Sequence, residues 1–457
     1  MAGIGFSLRK ILNHESITRT VAAYTVAGII GGGPWLISIL GIISLSIIIA
    51  QIPAQHEAIT QFQISITYLI AGSLIFSGSA GNSFSRYAAD QLFLNRPTYL
   101  ISNLNGAMLV ISASAGIFSF FFALIFFSQQ DVAYRLLLMG SFVVLSNIWV
   151  VITLLTALKD YTIILKAFSL SYSIIVLLAY WLRHHGLDAF LFSFLIGQMV
   201  LLLNLLIVLY KEYPTNSIID FHFMKKGSMY KLLIFSGLFF NLGVWVDKFI
   251  FWYNASTSYA VIGPFRASII YDLPIFIAYL CLIPGMAVFL LLIETNFSDY
   301  YNRFNEAIRN GKSLDYIKIA GDQVNTYALN VIYSIVKIQA LVIIIMLQFG
   351  EKILALLNIS ILYYNLLYIA VIGTSLQVLL LAIVDILYYM DRRWDVFVIS
   401  IAYFILNLVF TLLSIYMGPF YYGYGFTLAL ACVCVLGMYF LNEEFNDLEY
   451  KVIMLRG

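Results

Sequence analysis

The stretch at residues 189–209, AFLFSFLIGQMVLLLNLLIVL, contains no charged residue and is as long as a helix that crosses the hydrocarbon core of a membrane. Similar runs recur along the whole 457-residue chain, which is 62% hydrophobic and only 11% charged. Soluble proteins carry about 25% charged residues, so this composition excludes a soluble enzyme and a disordered chain. The runs are continuous rather than alternating, which excludes a transmembrane β-barrel and predicts an all-α polytopic membrane protein.

Twelve apolar runs bounded by charges or turn residues are predicted to cross the membrane. They are residues 21–50, 62–83, 101–127, 136–158, 162–182, 189–209, 232–252, 269–293, 327–349, 361–389, 395–416 and 423–441. Cytoplasmic loops of membrane proteins are enriched in Lys and Arg. Here the odd-numbered connecting segments, together with Lys166 at the start of the fifth run, hold 19 of these residues against 4 in the even-numbered segments. This alternation supports twelve spans and predicts that both termini are cytoplasmic.

The spans divide six and six around a basic connecting segment. We therefore predict an N-terminal lobe at 1–210, a cytoplasmic inter-lobe linker at 211–231 and a C-terminal lobe at 232–457. A Gly-x-Trp pattern at similar depth in spans one and seven, ending at Trp35 and Trp245, fits two related six-helix halves.

The segment 294–326 is charged but has aromatic and aliphatic residues at helical spacing, which is typical of helices that lie in the cytoplasmic membrane interface. Gly311 is predicted to end the first of these helices, and Ser313 to cap a second, short one. The segment could dock a cytoplasmic partner or serve as a solvated connector.

The sequence carries no signature of catalysis. It has no phosphate-binding glycine loop, no zinc-protease motif and no Cys/His set at metal-ligand spacing, so we expect no catalytic residue, metal or cofactor. The loops are too short to hold the domain of a membrane glycosyltransferase or polymerase. The net charge of +2 is too balanced to indicate a nucleic-acid partner. These observations predict a protein that is not an enzyme.

Ionisable groups at membrane depth are costly and therefore mark candidate functional positions. Asp247 and Lys248 lie in the outer third of span seven, and Arg266 and Asp272 flank the start of span eight on the same side. Lys337 lies near the middle of span nine. Because neighbours on a helix point about 100° apart, we expect Asp247 and Lys248 not to neutralise each other directly.

Prolines inside spans predict bending points, because each removes a backbone hydrogen bond. The predicted kinks or gates are Gly33, Pro34, Pro274 and Pro284. Flat aromatic faces in the same spans could stack on sugar rings, although core packing is the simpler alternative. The candidate substrate-pathway residues are Trp35, Asn241, Trp245, Asp247, Lys248, Arg266, Tyr271, Asp272 and Lys337.

Five segments carry a resemblance to a known family. They are MAGIGFSLRKIL at 1–12, RYAADQLF at 86–93, NLGVWVDKFIFW at 241–252, VIGPFRASIIYDLPIFIAYLCLIPGMAVFLLLIET at 261–295 and YYGYGF at 421–426. Through them the chain resembles the PelG family of inner-membrane Pel exopolysaccharide transporters from near its first residue to near its last. That family is similar to the polysaccharide flippases of the multidrug/oligosaccharidyl-lipid/polysaccharide superfamily, which have twelve helices in two lobes.

The resemblance implies a role that the residues alone do not. It implies alternating-access passage of a hexosamine-rich polymer from cytoplasm to periplasm across the bacterial inner membrane. It also implies partnership with the cytoplasmic Pel glycosyltransferase and with inner-membrane Pel proteins under cyclic-di-GMP control. Two alternatives stay open: a cation-coupled exporter of drugs or lipid-linked oligosaccharides, and a membrane scaffold for the glycosyltransferase. The scarcity of buried Arg and Lys argues against a strongly anionic substrate.

Overall fold

The computed structural model describes residues 17–49, 55–157, 161–215, 217–225, 229–357, 360 and 363–454. Within these, the side chains of 17–23, 29–31, 33–36, 48–49, 157, 161–162 and 447–454 lie outside the description. The helices that carry the fold are α1 (Ile17–Ile49), α2 (His56–Phe93), α3 (Thr98–Phe126), α4 (Val132–Ala157), α5 (Tyr161–Trp181), α6 (Leu187–Glu212), α7 (Lys231–Tyr253), α8 (Ile269–Leu280), α9 (Ile283–Leu292), α10 (Ser298–Arg309), α11 (Leu314–Leu356), α12 (Tyr364–Tyr389), α13 (Arg393–Met417) and α14 (Tyr424–Met454).

These helices confirm the prediction of an all-α polytopic membrane protein. Eleven stretches of the described residues are long and apolar enough to cross a membrane, and α1 contains a shorter apolar stretch, Ile37–Ile47. In chain order, each of these stretches overlaps one of the twelve predicted spans. The eighth span is the composite stretch Ile269–Arg309, which joins α8, α9 and α10.

A small β-hairpin between α7 and α8 was not predicted. Strands β1 (Tyr259–Ile262) and β2 (Phe265–Ala267) pair antiparallel, with an irregularity between Ala260 and Ile262. Gly263 makes the turn with φ of +53°, and a Cβ atom there would lie 2.8 Å from the ring of Phe127. Glycine is therefore required both by the backbone conformation and by the space available.

The chain forms two compact units that do not follow the predicted lobe boundary at every point. Unit 1 comprises the chain up to Gly32, Val246–Ile250 and Ile269–Gly457, and unit 2 comprises Gly33–Trp245 and Phe251–Ser268. The α1 and α7 helices each contribute to both units. The six-and-six division at 210 and 232 stays a prediction.

In unit 2, α4 is the central helix and packs against α2, α3 and α6. The α2 helix also approaches the first part of α7 so closely that only glycine fits. A Cβ atom on Gly237 would lie 2.0 Å from the carbonyl oxygen of Gly78, and one on Gly78 would lie 2.4 Å from Nδ2 of Asn241. Small residues allow such close backbone approach between membrane helices.

In unit 1, α12 is the central helix and packs against α8, α11 and α14. The helical path beside it is interrupted between α8 and α9, and Pro284 lies in the first turn of α9, where its missing N–H is tolerated. Side chains from neighbouring helices add hydrogen bonds at the break: Gln339 Nε2 donates to Leu282 O at 3.4 Å, and Thr374 Oγ1 donates to Ala278 O at 3.0 Å. The same two carbonyls also accept from the backbone N–H groups of Met286 and Cys281.

The segment predicted to form two short interfacial helices has a different structure. Gly311 adopts φ of +59° after α10, and the Ser313 side chain caps the next helix by accepting from the N–H of Tyr316, as expected. That next helix is not short, because α11 runs without a break from Leu314 to Leu356. No proline separates the charged first turns from the apolar span, so the helix continues from one into the other.

Candidate functional site

Asp247 and Lys248 form the buried ion pair of the candidate site, which lies within unit 1. Lys248 Nζ lies 3.2 Å from both carboxylate oxygens of Asp247. The expectation that these neighbours could not neutralise each other is therefore wrong. Their Cα–Cβ bonds do diverge around α7, but the four-carbon stem of the lysine is long enough to bring its ammonium back to the adjacent carboxylate.

Two more helices donate hydrogen bonds to the same carboxylate. The hydroxyl of Tyr271, on α8, donates to Asp247 Oδ2 at 2.6 Å, and Asn407 Nδ2, on α13, lies 3.5 Å from Oδ1. The hydroxyl of Thr411, one turn later on α13, donates to Asn407 Oδ1 at 3.0 Å and orients the amide. A carboxylate with no exposed surface thus receives donors from three helices, as a buried charge must.

The ammonium of Lys248 is enclosed by aromatic rings as well as by the carboxylate. Its Nζ lies 3.3 Å from the hydroxyl of Tyr279, 5.0 Å from the centre of the Tyr279 ring and 5.4 Å from that of Phe426. Ring faces attract cations, most strongly when water is excluded. Lys248 is only 7% exposed, so the pair is a desolvated, net-neutral cluster.

A buried acceptor lies next to this cluster. Gln377, on α12, hydrogen-bonds with the Tyr279 side chain, while its Oε1 atom is buried without a hydrogen-bond partner among the described residues. An amide oxygen in that position can accept a hydrogen bond from a hydroxyl, an ammonium or a water molecule. The cluster therefore has one further polar position beyond the contacts that it already makes.

Arg266 belongs to unit 2, where it holds the β1–β2 hairpin. Its Nε donates to Trp252 O at 3.2 Å and to Ser258 Oγ at 2.9 Å, and its Nη2 donates to Ser258 O at 3.2 Å. The Tyr68 hydroxyl donates to the carbonyl oxygen of Arg266 at 3.0 Å, and the Tyr68 ring stacks on Phe265 at 4.1 Å. The guanidinium of Arg266 therefore holds the loop that follows α7 in place through hydrogen bonds.

The other described candidate residues are distributed over both units. Trp245 and Trp252 have ring centres 6.3 Å apart in unit 2, and Asn241 donates through Nδ2 to Gly237 O at 2.9 Å. Asp272 is half-buried on α8, and Lys337 is exposed on α11.

The predicted bending points had different outcomes. Pro274 lies inside α8, and Pro284 lies beside the break already described. The backbone of α1 is helical through Gly33, Pro34 and Trp35, whose side chains lie outside the described residues.

Sequence reasoning missed three members of the cluster: Asn407, Thr411 and Gln377. Each is a single polar residue in an otherwise apolar run, and such residues more often act as interhelical glue than as functional groups. Asn407 could have been noticed because it is a polar residue in the middle of the apolar span eleven. Among the described residues, no group of three or more His, Cys, Asp or Glu side chains could hold a metal ion.

Several solved structures share this fold. One is an outward-facing multidrug resistance MATE family transporter of the MOP superfamily, with 13% identity over 94% of this chain and 96% of that chain and a TM-score of 0.63. A second is MATE in the bent conformation, with 13% identity over 95% and 97% and a TM-score of 0.63. A third is a MOP superfamily transporter from Pyrococcus furiosus Vc1, with 13% identity over 94% and 96% and a TM-score of 0.60. These similarities show the fold.

The family is shown by sequence. No curated protein matches the chain significantly. The model of the PelG family of exopolysaccharide exporters (EPS-E), in contrast, matches residues 1–453. That match covers almost the whole chain and includes all five segments that carried the resemblance. The protein is therefore a multi-pass membrane transporter with the MOP-superfamily fold, and it belongs to the PelG exopolysaccharide exporter family.

Proposed function

We propose that this transporter moves the hexosamine-rich Pel polymer from the cytoplasm to the periplasm across the bacterial inner membrane, with both of its termini in the cytoplasm. The observation that carries the proposal is the family match over residues 1–453, and the fold supports it. The 19-to-4 distribution of Lys and Arg supports the orientation. The chain transports its substrate without changing it chemically.

Alternating access is the mechanism that best suits a chain with this fold. In the proposed cycle, the polymer is exposed first to the cytoplasm and then to the periplasm. Trp245, which is half-buried, would offer a flat face to the sugar rings, whereas Tyr271 is fully buried in the cluster. Neutral amide and hydroxyl groups would exchange hydrogen bonds with sugar hydroxyls at little cost, because such bonds are readily remade along a repeating polymer.

The buried ion pair has a role in this proposal as the element that joins α7 to α8 and α13. An Asp247→Asn variant keeps the size of the side chain but leaves the ammonium of Lys248 buried beside a neutral amide. Breaking a buried pair in this way costs about 3–5 kcal/mol, so the helices around it should lose their arrangement. The variant can still fold, but α7 is then held less firmly against α8 and α13, and the proposal predicts loss of export.

The proposed partners follow from the family. The cytoplasmic Pel glycosyltransferase would deliver the polymer, and inner-membrane Pel proteins under cyclic-di-GMP control would regulate delivery. The hydrophilic face of α10, with Asp299 and Arg303 one turn apart, supports contact with a cytoplasmic protein. A scaffold that only held the glycosyltransferase would share these contacts, so contact alone does not test transport.

Reconstitution separates a transporter from a scaffold. The purified chain is placed in lipid vesicles, the glycosyltransferase and radiolabelled sugar nucleotide are added outside, and the polymer protected inside is measured. The proposal predicts protected, labelled polymer only when this chain is present, and a loss of protection with Asp247→Asn. Polymer that stays wholly outside vesicles containing the correctly folded wild-type chain would refute it.

A further inference from the structure

The carboxylate of Asp247 is saturated by donors of its own chain. Oδ1 faces Lys248 Nζ at 3.2 Å and Asn407 Nδ2 at 3.5 Å, and Oδ2 faces Lys248 Nζ at 3.2 Å and the Tyr271 hydroxyl at 2.6 Å. A buried carboxylate in a membrane transporter is ordinarily a candidate for binding a proton or a metal cation. At this carboxylate the cation is already supplied by a covalently attached ammonium.

The ammonium fills a position that is shaped for a cation. It has a carboxylate on one side and the rings of Tyr279 and Phe426 on others, and its side chain is 8% exposed. Because Lys248 is the next residue in the chain, its effective concentration at the carboxylate is far higher than that of a free ion. A sodium ion or a proton would have to displace this tethered group before it could bind.

We propose that Lys248 is a tethered counter-cation that takes the place of a coupling ion at Asp247, so that proton or sodium binding at this carboxylate does not drive the transporter. The inference rests on the proposed function, because coupling has a meaning only for a transporter. It concerns the energy source, which the family match does not specify. It places the driving force elsewhere, for example in the continuing synthesis of the polymer that is being moved.

The groups around the pair are consistent with a permanently neutral cluster. The hydroxyls of Tyr271 and Tyr279 lie within hydrogen-bond distance of the pair, and Tyr403 lies near Asp247. A neutral phenol adds no charge, so the carboxylate and the ammonium balance each other. The pair needs no external ion to satisfy either member.

The test compares the thermal stability of purified, detergent-solubilised variants in sodium chloride and in choline chloride of equal ionic strength, at about pH 6 and about pH 8. The variants are wild type, Lys248→Met, and the double variant Asp247→Asn with Lys248→Met, in which both charges are absent. Lys337→Met is the matched control, because it removes a membrane-depth lysine that is exposed on α11. Binding of radioactive sodium ions is measured on the same samples.

The tethered counter-cation predicts that the Tm of wild type and of Lys337→Met changes between the two salts and the two pH values no more than the Tm of the double variant does. Removing the ammonium frees the carboxylate, so Lys248→Met should gain a Tm increase of about 2 °C or more in sodium or at the lower pH. The double variant should not show this increase in Tm, because it has no carboxylate at position 247. This result does not depend on transport, so failure of the inference would leave the proposed function standing.

Two results would overturn the inference. One is saturable sodium binding, or a rise in Tm at the lower pH, that the wild type shows and the double variant lacks. The other is a Lys248→Met variant as indifferent to sodium and pH as Lys337→Met. If Lys248→Met fails to fold, the wild type and the double variant still test the proposal. Sodium binding to the wild type that is absent from the double variant contradicts the proposal. Absence of sodium binding from both proteins supports it.

Discussion

The hydrogen bond from Tyr271 to Asp247 offers a sharp test of the buried cluster. A Tyr271→Phe substitution removes one hydroxyl and leaves a ring of the same shape, so no large cavity forms. The lost bond is short, at 2.6 Å, and its acceptor is a carboxylate with no exposed surface. Hydrogen bonds to charged groups contribute about 1.5–3 kcal/mol, which at about 2 °C per kcal/mol predicts a fall in Tm of about 3–6 °C.

The matched control is Tyr300→Phe, which removes a hydroxyl that donates to Tyr327 at 2.7 Å in a half-buried pair of neutral phenols. Both variants lose one phenolic hydrogen bond, but only Tyr271→Phe loses a bond to a buried charge. Thermal unfolding followed by intrinsic fluorescence in detergent should therefore show a smaller shift for Tyr300→Phe. In an Asp247→Asn background, the effect of Tyr271→Phe should fall to about half, because the acceptor is then neutral. Equal shifts for the two single variants would refute the assignment of a charged, desolvated cluster.

Two further predictions concern unit 2. Gly237→Ala should lower the yield of folded protein and its Tm by overpacking α2 against α7, because the added Cβ would meet the carbonyl oxygen of Gly78 at 2.0 Å, at a cost of about 1–3 kcal/mol. Gly116→Ala, with its nearest neighbour 4.0 Å away, should be neutral, and equal stability of the two variants would contradict the close approach. Arg266→Lys keeps the charge but loses the guanidinium bonds to Ser258, so hydrogen exchange of the β1–β2 hairpin amides should accelerate by about tenfold or more. Unchanged exchange would show that Arg266 does not fasten the hairpin.

The membrane fold could be predicted from the sequence, because the bilayer itself sets the length of the spans and the placement of the charged residues. An uncharged run such as 189–209 has few alternatives to a spanning helix, since every backbone polar group in hydrocarbon must be satisfied internally. The end of one helix at Gly311 and the start of the next at Ser313 were also predicted correctly, from a glycine that adopts a left-handed conformation and a serine that caps a helix. These features depend only on neighbouring residues.

The candidate site could be predicted from the sequence only in part, because its contacts join distant parts of the chain. Asp247 and Lys248 could be predicted as candidates because burying a charge in a membrane is costly. Tyr271 could be predicted as one because it is aromatic. The lysine's return to the adjacent carboxylate depends on side-chain rotamers, which periodicity does not describe. Asn407 lies 160 residues from Asp247, and nothing local to α13 distinguishes an amide that orients a carboxylate from one that only joins two helices. Similarly, no local signal indicated that α11 would extend from Leu314 to Leu356.

Polymer translocation into vesicles tests the central claim most directly. Vesicles containing the purified chain, supplied from outside with the glycosyltransferase and labelled sugar nucleotide, should accumulate labelled polymer that an added glycoside hydrolase cannot reach. Vesicles containing Asp247→Asn at the same protein density should accumulate much less. Labelled polymer that the hydrolase digests completely in wild-type vesicles would contradict the conclusion that this chain carries an exopolysaccharide across the membrane.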